Sequence, residues 1–130
     1  MTEAVKKYVS IWNSNDISSL EDIFSEESTY WDALQEGEAI DLLSGSIAST
    51  HRTFSDVLFR IISLKTIRKN QAFLAWQMNG TNTGEFFGYP PTGKKIEIRG
   101  LDSLTFKSGR ITEIKSFYDS SLFATQLGIQ

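Results

Sequence analysis

Several polar side chains stand where the hydrophobic pattern calls for apolar ones, or where an element ends. Asp102 is the sharpest case. In "IEIRGLDSLTF" strict alternation puts Ile96, Ile98, Gly100, Asp102, Leu104 and Phe106 on one face of a strand. A carboxyl among such neighbours loses hydration, so its charge is disfavoured and its pKa rises. The same placement also suits a structural pair with a buried partner such as Tyr8, or a seat at a wet cavity mouth. Tyr8 falls on the apolar face of a helical stretch with Val5, Val9 and Trp12. It is ordinary core packing or a hydroxyl offered inward. Asp32 follows Tyr30 and Trp31 and either acts as a base or ends a strand and caps the next helix. His51 shares a helical face with Ile40, Leu43, Ile47 and Phe54, as a satisfied interior histidine or a cavity acid. Asn82 continues the face of Trp76 and Met78 and offers an amide to a cavity or to a strand end. Asp119 N-caps the last helix or serves as an acid.

Singly each of these groups has an ordinary structural explanation; together those explanations weaken. Trp12, Trp31, Trp76, Phe86 and Phe87 are candidate apolar walls, and acids and donors converging on an aromatic-lined concavity mark a small-molecule site. Two other classes compete. In a binding module the polar groups only orient a ligand, and in a structural dimer Trp and Phe fill the space.

The elements that must position these groups follow from periodicity. Residues 2–14 read as an amphipathic helix. A short second helix carries Leu20, Ile23 and Phe24, with Asp16, or Ser18 with Glu21, at its start. "STYWDA" reads as a brief strand ending near Asp32, and residues 36–53 as a third helix. From Val57 on, the period becomes two, predicting strands over 57–67, 71–85, 95–107 and 110–119. "SSLFATQLG" is a last helix with Gly128 as its C-cap. Helices followed by a four-stranded antiparallel meander make an α+β fold, with a curved sheet over helices and a conical space at its open end. In "GTNTGEFFGYPPTGK", strand parity puts Phe86 on the face of Trp76 and Asn82 and turns Phe87 outward, unless a bulge at Gly84 or Gly88 exchanges them. Arg99 lies opposite Asp102.

Composition sets the outer bounds. The 130 residues, 40% hydrophobic and 22% charged, suit one globular domain over 1–130. A net charge of −3 with no basic run argues against nucleic acid. Without cysteine and with one histidine, a thiolate or histidine-cluster metal site is excluded. "MTEAVKKYVSIW" lacks a signal-peptide core and no apolar run approaches a membrane span, which predicts a cytoplasmic protein.

The stretches "GTNTGEFFGYPPTGKKI", "FKSGRITEIKSFYD" and the terminal "QLG" resemble the SnoaL-like polyketide (ester) cyclases of the nuclear transport factor 2-like superfamily. "KKYVSIWNSNDISSLEDIF", "TYWD" and "DSLTF" are similar to bacterial ketosteroid isomerases, whose active-site tyrosine and two aspartates match Tyr8, Asp32 and Asp102. The resemblance implies a cone-shaped α+β fold, a homodimer formed through the outer sheet face, and a cofactor-free apolar pocket for a small hydrophobic carbonyl compound. It further implies removal of a proton next to a carbonyl by an ionised Asp32 as general base, with Tyr8 and a neutral Asp102 as donors to the enolate; a carboxyl donates only while protonated, so the two acids must be tuned apart. The chain departs from these patterns in places. Asn82 stands where the cyclases often carry histidine in a G-x-H-x-G stretch, and Ala33 where proline often follows the isomerase base. The cyclases' acid/base aspartate falls at Asp119, or at Asp102 under a shifted alignment.

Overall fold

Alternating apolar residues drive the chain into long antiparallel strands whose inner faces must be covered, and the N-terminal helices cover them. The computed structural model describes residues 1–129. Helix α1 (Thr2–Ser14) buries Ala4, Val5, Tyr8, Val9 and Ile11 and ends at Asn15 in the left-handed conformation. A 3₁₀ turn, Ile17–Asp22, follows in place of the expected second α-helix. Phe24 opens strand β1 (Phe24–Asp32). Then come β2 (Gln35–Glu38), α2 (Ala39–Thr53), β3 (Leu58–Arg68), β4 (Gln71–Thr81), β5 (Lys95–Lys107), β6 (Arg110–Tyr118) and α3 (Ser121–Leu127).

The fold is α+β, as expected, and β3 to β6 form the expected antiparallel meander. The sheet is larger and mixed, however, with six strands in the order β2-β1-β6-β5-β4-β3. Strand β1 lies parallel to β6, Tyr30 opposite Ile114, and β2 folds back on β1 as a short hairpin. The third helix accordingly begins at Ala39, because residues 35–38 belong to that hairpin.

Strand β4 stops at Thr81, short of the expected 85, because Asn82 turns the chain out of the sheet. Its backbone bonds Lys94 and Gly93 across the base of the loop. Before Gly100 the β6-facing edge of β5 is unpaired, and the Gln126 side chain of α3 occupies it, accepting from the Glu97 N–H and donating to the Glu97 carbonyl. Gly128, at φ 72°, ends α3 as expected. The core, including Leu20, Leu43, Ile47, Leu74, Ile98, Leu104 and Ile114, lies between the inner sheet face and the helices.

Candidate active site

Helices and sheet enclose a cavity of about 1130 Å³. Trp12, Phe54, Phe59, Trp76, Met78, Phe86 and Phe123 give it an apolar wall, and Tyr8, Tyr30, Asp32, Asp102, Ser116 and Tyr118 bring polar atoms to the same space.

Asp102 is only 3% exposed. One oxygen, Oδ1, accepts from Trp76 Nε1 at 2.9 Å and from Ser116 Oγ at 2.6 Å. Both partners follow from register, since β4 passes on one side of β5 and Ser116 of β6 lies directly opposite Asp102. The Trp76 indole lies across β5 at Gly100, where any β-carbon would overlap the ring. Among the described residues Oδ2 has no hydrogen-bond partner. Burial pushes the Asp102 carboxyl up to about 6; the Ser116 and Trp76 bonds oppose the rise, and the charge of Asp32 adds to it.

Asp32 is also buried, in a different environment. Tyr30 donates its hydroxyl to Oδ2 at 2.8 Å, and the Leu34 and Gln35 N–H groups donate to Oδ1 at 2.8 and 3.1 Å. It therefore holds the β1–β2 turn and does not cap the helix, which starts further on. The Tyr8 hydroxyl has no hydrogen-bond partner among the described residues. No fully enclosed polar side-chain atom there lacks one, so this hydroxyl opens on the cavity. Burial, then the charge of Asp102, holds the Tyr8 phenol well above its ordinary range, opposed by the nearby Trp12 side chain. It remains a donor. Tyr118 is pushed up to about 12 by burial and by the charges of Asp32 and Asp102.

Other candidates sit elsewhere. Trp31 points to the outer sheet face against Phe117, with ring centres 5.4 Å apart, because Tyr30 and Asp32 take the inward positions of β1. His51 places Nε2 2.6 Å from the Trp12 carbonyl, tying α2 to α1 behind the cavity wall. Asn82 is fully buried and fully engaged: it donates to the Thr53 and Gly84 carbonyls and accepts from the Thr92 N–H and hydroxyl. Its amide anchors the 82–94 loop and does not reach the cavity. Asp119 is exposed and accepts from the Ser121 N–H and hydroxyl at the start of α3. Phe86 is partly buried and stacks on Phe123, while Phe87 lies 85% exposed at the cavity mouth.

Sequence reasoning missed Tyr30, Ser116 and Tyr118 as site residues. Strand parity carried the signal: Tyr30 shares the face of Asp32, and pairing across the "KSG" turn puts Ser116 beside Asp102, with Tyr118 two residues on.

A six-stranded mixed sheet packed against N-terminal helices is the fold class of the nuclear transport factor 2-like and ketosteroid isomerase-like proteins. Within that class, the chain belongs to the SnoaL-like polyketide cyclase family, whose model matches residues 2–127. Similar solved structures include IdmH from Streptomyces antibioticus, described as a candidate polyketide cyclase (TM-score 0.85, 20% identity, 98% of each chain covered). TsrD from Streptomyces laurentii is also similar (TM-score 0.86, 16% identity, 99% of this chain and 95% of that one). So is a Catenulispora acidiphila protein with a ketosteroid isomerase-like fold, in complex with trimethylamine (TM-score 0.82, 18% identity, 98% and 94% covered). At these identities the likeness bears on the fold. No curated protein matches the chain significantly. Among the described residues no helix is long and apolar enough to cross a membrane.

Proposed function

We propose that the protein is a cyclase or isomerase that removes a proton next to a carbonyl of a small apolar, polyketide- or steroid-like substrate, using its own side chains as acid and base. Membership of a family of candidate polyketide cyclases supports an enzymatic role. The observation that carries the chemistry is a carboxyl buried on an apolar cavity, Asp102, with one oxygen held by Trp76 and Ser116 and the other unpartnered among the described residues, and the Tyr8 hydroxyl open on the same cavity.

Asp102 is the proton carrier in this reading. Its Oδ2 is the carboxyl oxygen left without a protein partner, and a carboxyl near 6 is mostly ionised at neutral pH yet basic enough to accept a proton. The C–H proton passes to Oδ2, the electron pair moves to the carbonyl oxygen, and Tyr8 donates to the enolate. Return of the proton at another carbon is an isomerisation; attack of the enolate carbon on a second carbonyl closes a ring, and the new alkoxide takes the proton. Asp32 fixes Tyr30 and the β1–β2 turn. The resemblance distributes the roles the other way, with Asp32 as base and a neutral Asp102 as donor. The two arrangements give opposite pH dependence, rising through about 6 in the first and falling in the second.

The test is solvent-deuterium exchange into the α-positions of a panel of ketones and β-keto esters. Catalysed exchange that rises through pH 6 and is lost in Asp102→Asn is expected; saturable binding without exchange would make the protein a binding module. A homodimer belongs to the same proposal, with Leu101 and Phe117 paired and exposed on the outer sheet face beside Trp31. Sedimentation at micromolar concentration checks it.

A further inference from the structure

The mouth of the cavity carries a local contradiction. Phe86 and Tyr89 exchange both backbone hydrogen bonds, at 3.0 and 2.9 Å, closing a two-residue turn around Phe87 and Gly88. Both central residues have positive φ, 45° at Phe87 and 86° at Gly88. Turns of that kind favour Asn or Gly at the first centre, and a bulky aromatic there is strained. The strain gains little burial, because the Phe87 ring stays 85% exposed. It stands edge-to-face on Phe86 at 4.8 Å, and Phe86 in turn stacks on Phe123. Leu34, from the β1–β2 turn, lines the same cavity and is 67% exposed. Two exposed apolar side chains from separate turns therefore line the same cavity. An outlier that costs stability and buries little points to a contact made only in the bound state.

We propose that Phe87 is a specificity-determining residue, held out by its strained turn to cover the far end of an elongated apolar ligand whose near end reaches the buried polar groups. A ligand too short to reach the mouth is bound without it. The inference rests on the cavity and its rim, so it stands apart from the assignment of acid and base.

Binding measured without turnover tests it. Two phenols serve as probes, the two-ring 2-naphthol and the four-ring estradiol, titrated against the wild-type chain and Phe87→Asn. Asparagine suits the left-handed position, so the variant's melting temperature is expected to rise by about 2–5 °C. Its affinity for estradiol is expected to fall about tenfold, the scale of a partly buried phenyl ring, while 2-naphthol changes by about twofold or less. Phe87→Leu keeps the apolar cover and is expected to retain most of the estradiol affinity. A lower melting temperature in Phe87→Asn, unchanged estradiol affinity, equal loss for both phenols, or a wild-type chain that binds estradiol no better than 2-naphthol would each overturn the proposal.

Discussion

Replacing Asp102 by asparagine separates the proton transfer proposed for the carboxyl from what its charge costs the fold. The amide oxygen can take the place of Oδ1 and accept from Trp76 and Ser116, leaving the amide nitrogen at the position of Oδ2, toward the cavity. The wild-type carboxyl is raised from an ordinary 3.8 to about 6 in the folded chain, mainly by burial. Between those values the folded chain keeps a proton that the unfolded chain has lost. Its stabilising effect is complete below pH 3.8, fades as pH rises, and is gone above about 6. A difference of about two pH units corresponds to about 3 kcal/mol against folding at pH 7.5. Asparagine carries no such charge. Thermal unfolding at pH 7.5 is expected to show a melting temperature several degrees higher for Asp102→Asn, and at pH 4 the two proteins should converge. Exchange activity at pH 7.5 is expected to fall by about 10²- to 10⁴-fold. A variant less stable than wild type at pH 7.5 would refute the reasoning about burial. Activity that increases toward acid in the wild type would return the base to Asp32.

Tyr8→Phe removes a donor already free of protein partners, so a loss of ~10²-fold in turnover with little change in melting temperature is expected from steady-state kinetics and calorimetry. Gly100→Ala drives a methyl into the Trp76 indole; denaturant titration should show a loss of about 1–3 kcal/mol. With the Trp76 bond to Asp102 broken, the midpoint of the pH–rate profile should move upward, since that bond opposes the rise in the carboxyl's pKa. Asn82→Ala deletes the anchor of the 82–94 loop and should cost about 2–3 kcal/mol in the same titration while leaving the pH midpoint in place.

The meander was legible because alternation is local and each hairpin carries its own turn residues. Helix α1 occupies 2–14 and β5 occupies 95–107, the ranges that periodicity indicates. The parallel pairing of β1 with β6 was not legible. It joins segments far apart in sequence, with no turn between them to announce it. Strand β2, "QEGE", is exposed throughout and has no apolar alternation to read. The same distinction holds at the site. Asp102 stood out because its immediate neighbours are apolar, whereas the environment of Asp32 depends on a hairpin that the pattern hides. Trp31 was misplaced because hydrophobicity alone draws a tryptophan inward; the parity of Tyr30 and Asp32 turns it out. Asn82 misled for a related reason, since it continues a strand face at the point where the chain leaves the sheet.

The stability argument and the functional one meet at Trp76. A tryptophan packed against glycine on a neighbouring strand brings its N–H to Asp102, and Ser116 brings a hydroxyl to the same oxygen from the other side. Both bonds favour the charged form, and burial opposes it more strongly. Had those donors been apolar, the carboxyl would be neutral at working pH and useful only as a donor. Had the site been open to water, it would be fully ionised and a weak base. Held between these limits, the group can accept a proton and give it back, and an apolar substrate filling the cavity removes the remaining water and raises the carboxyl's proton affinity further. On the proposed role, the fold bears a charge that it would be more stable without, and proton transfer is what that charge would serve.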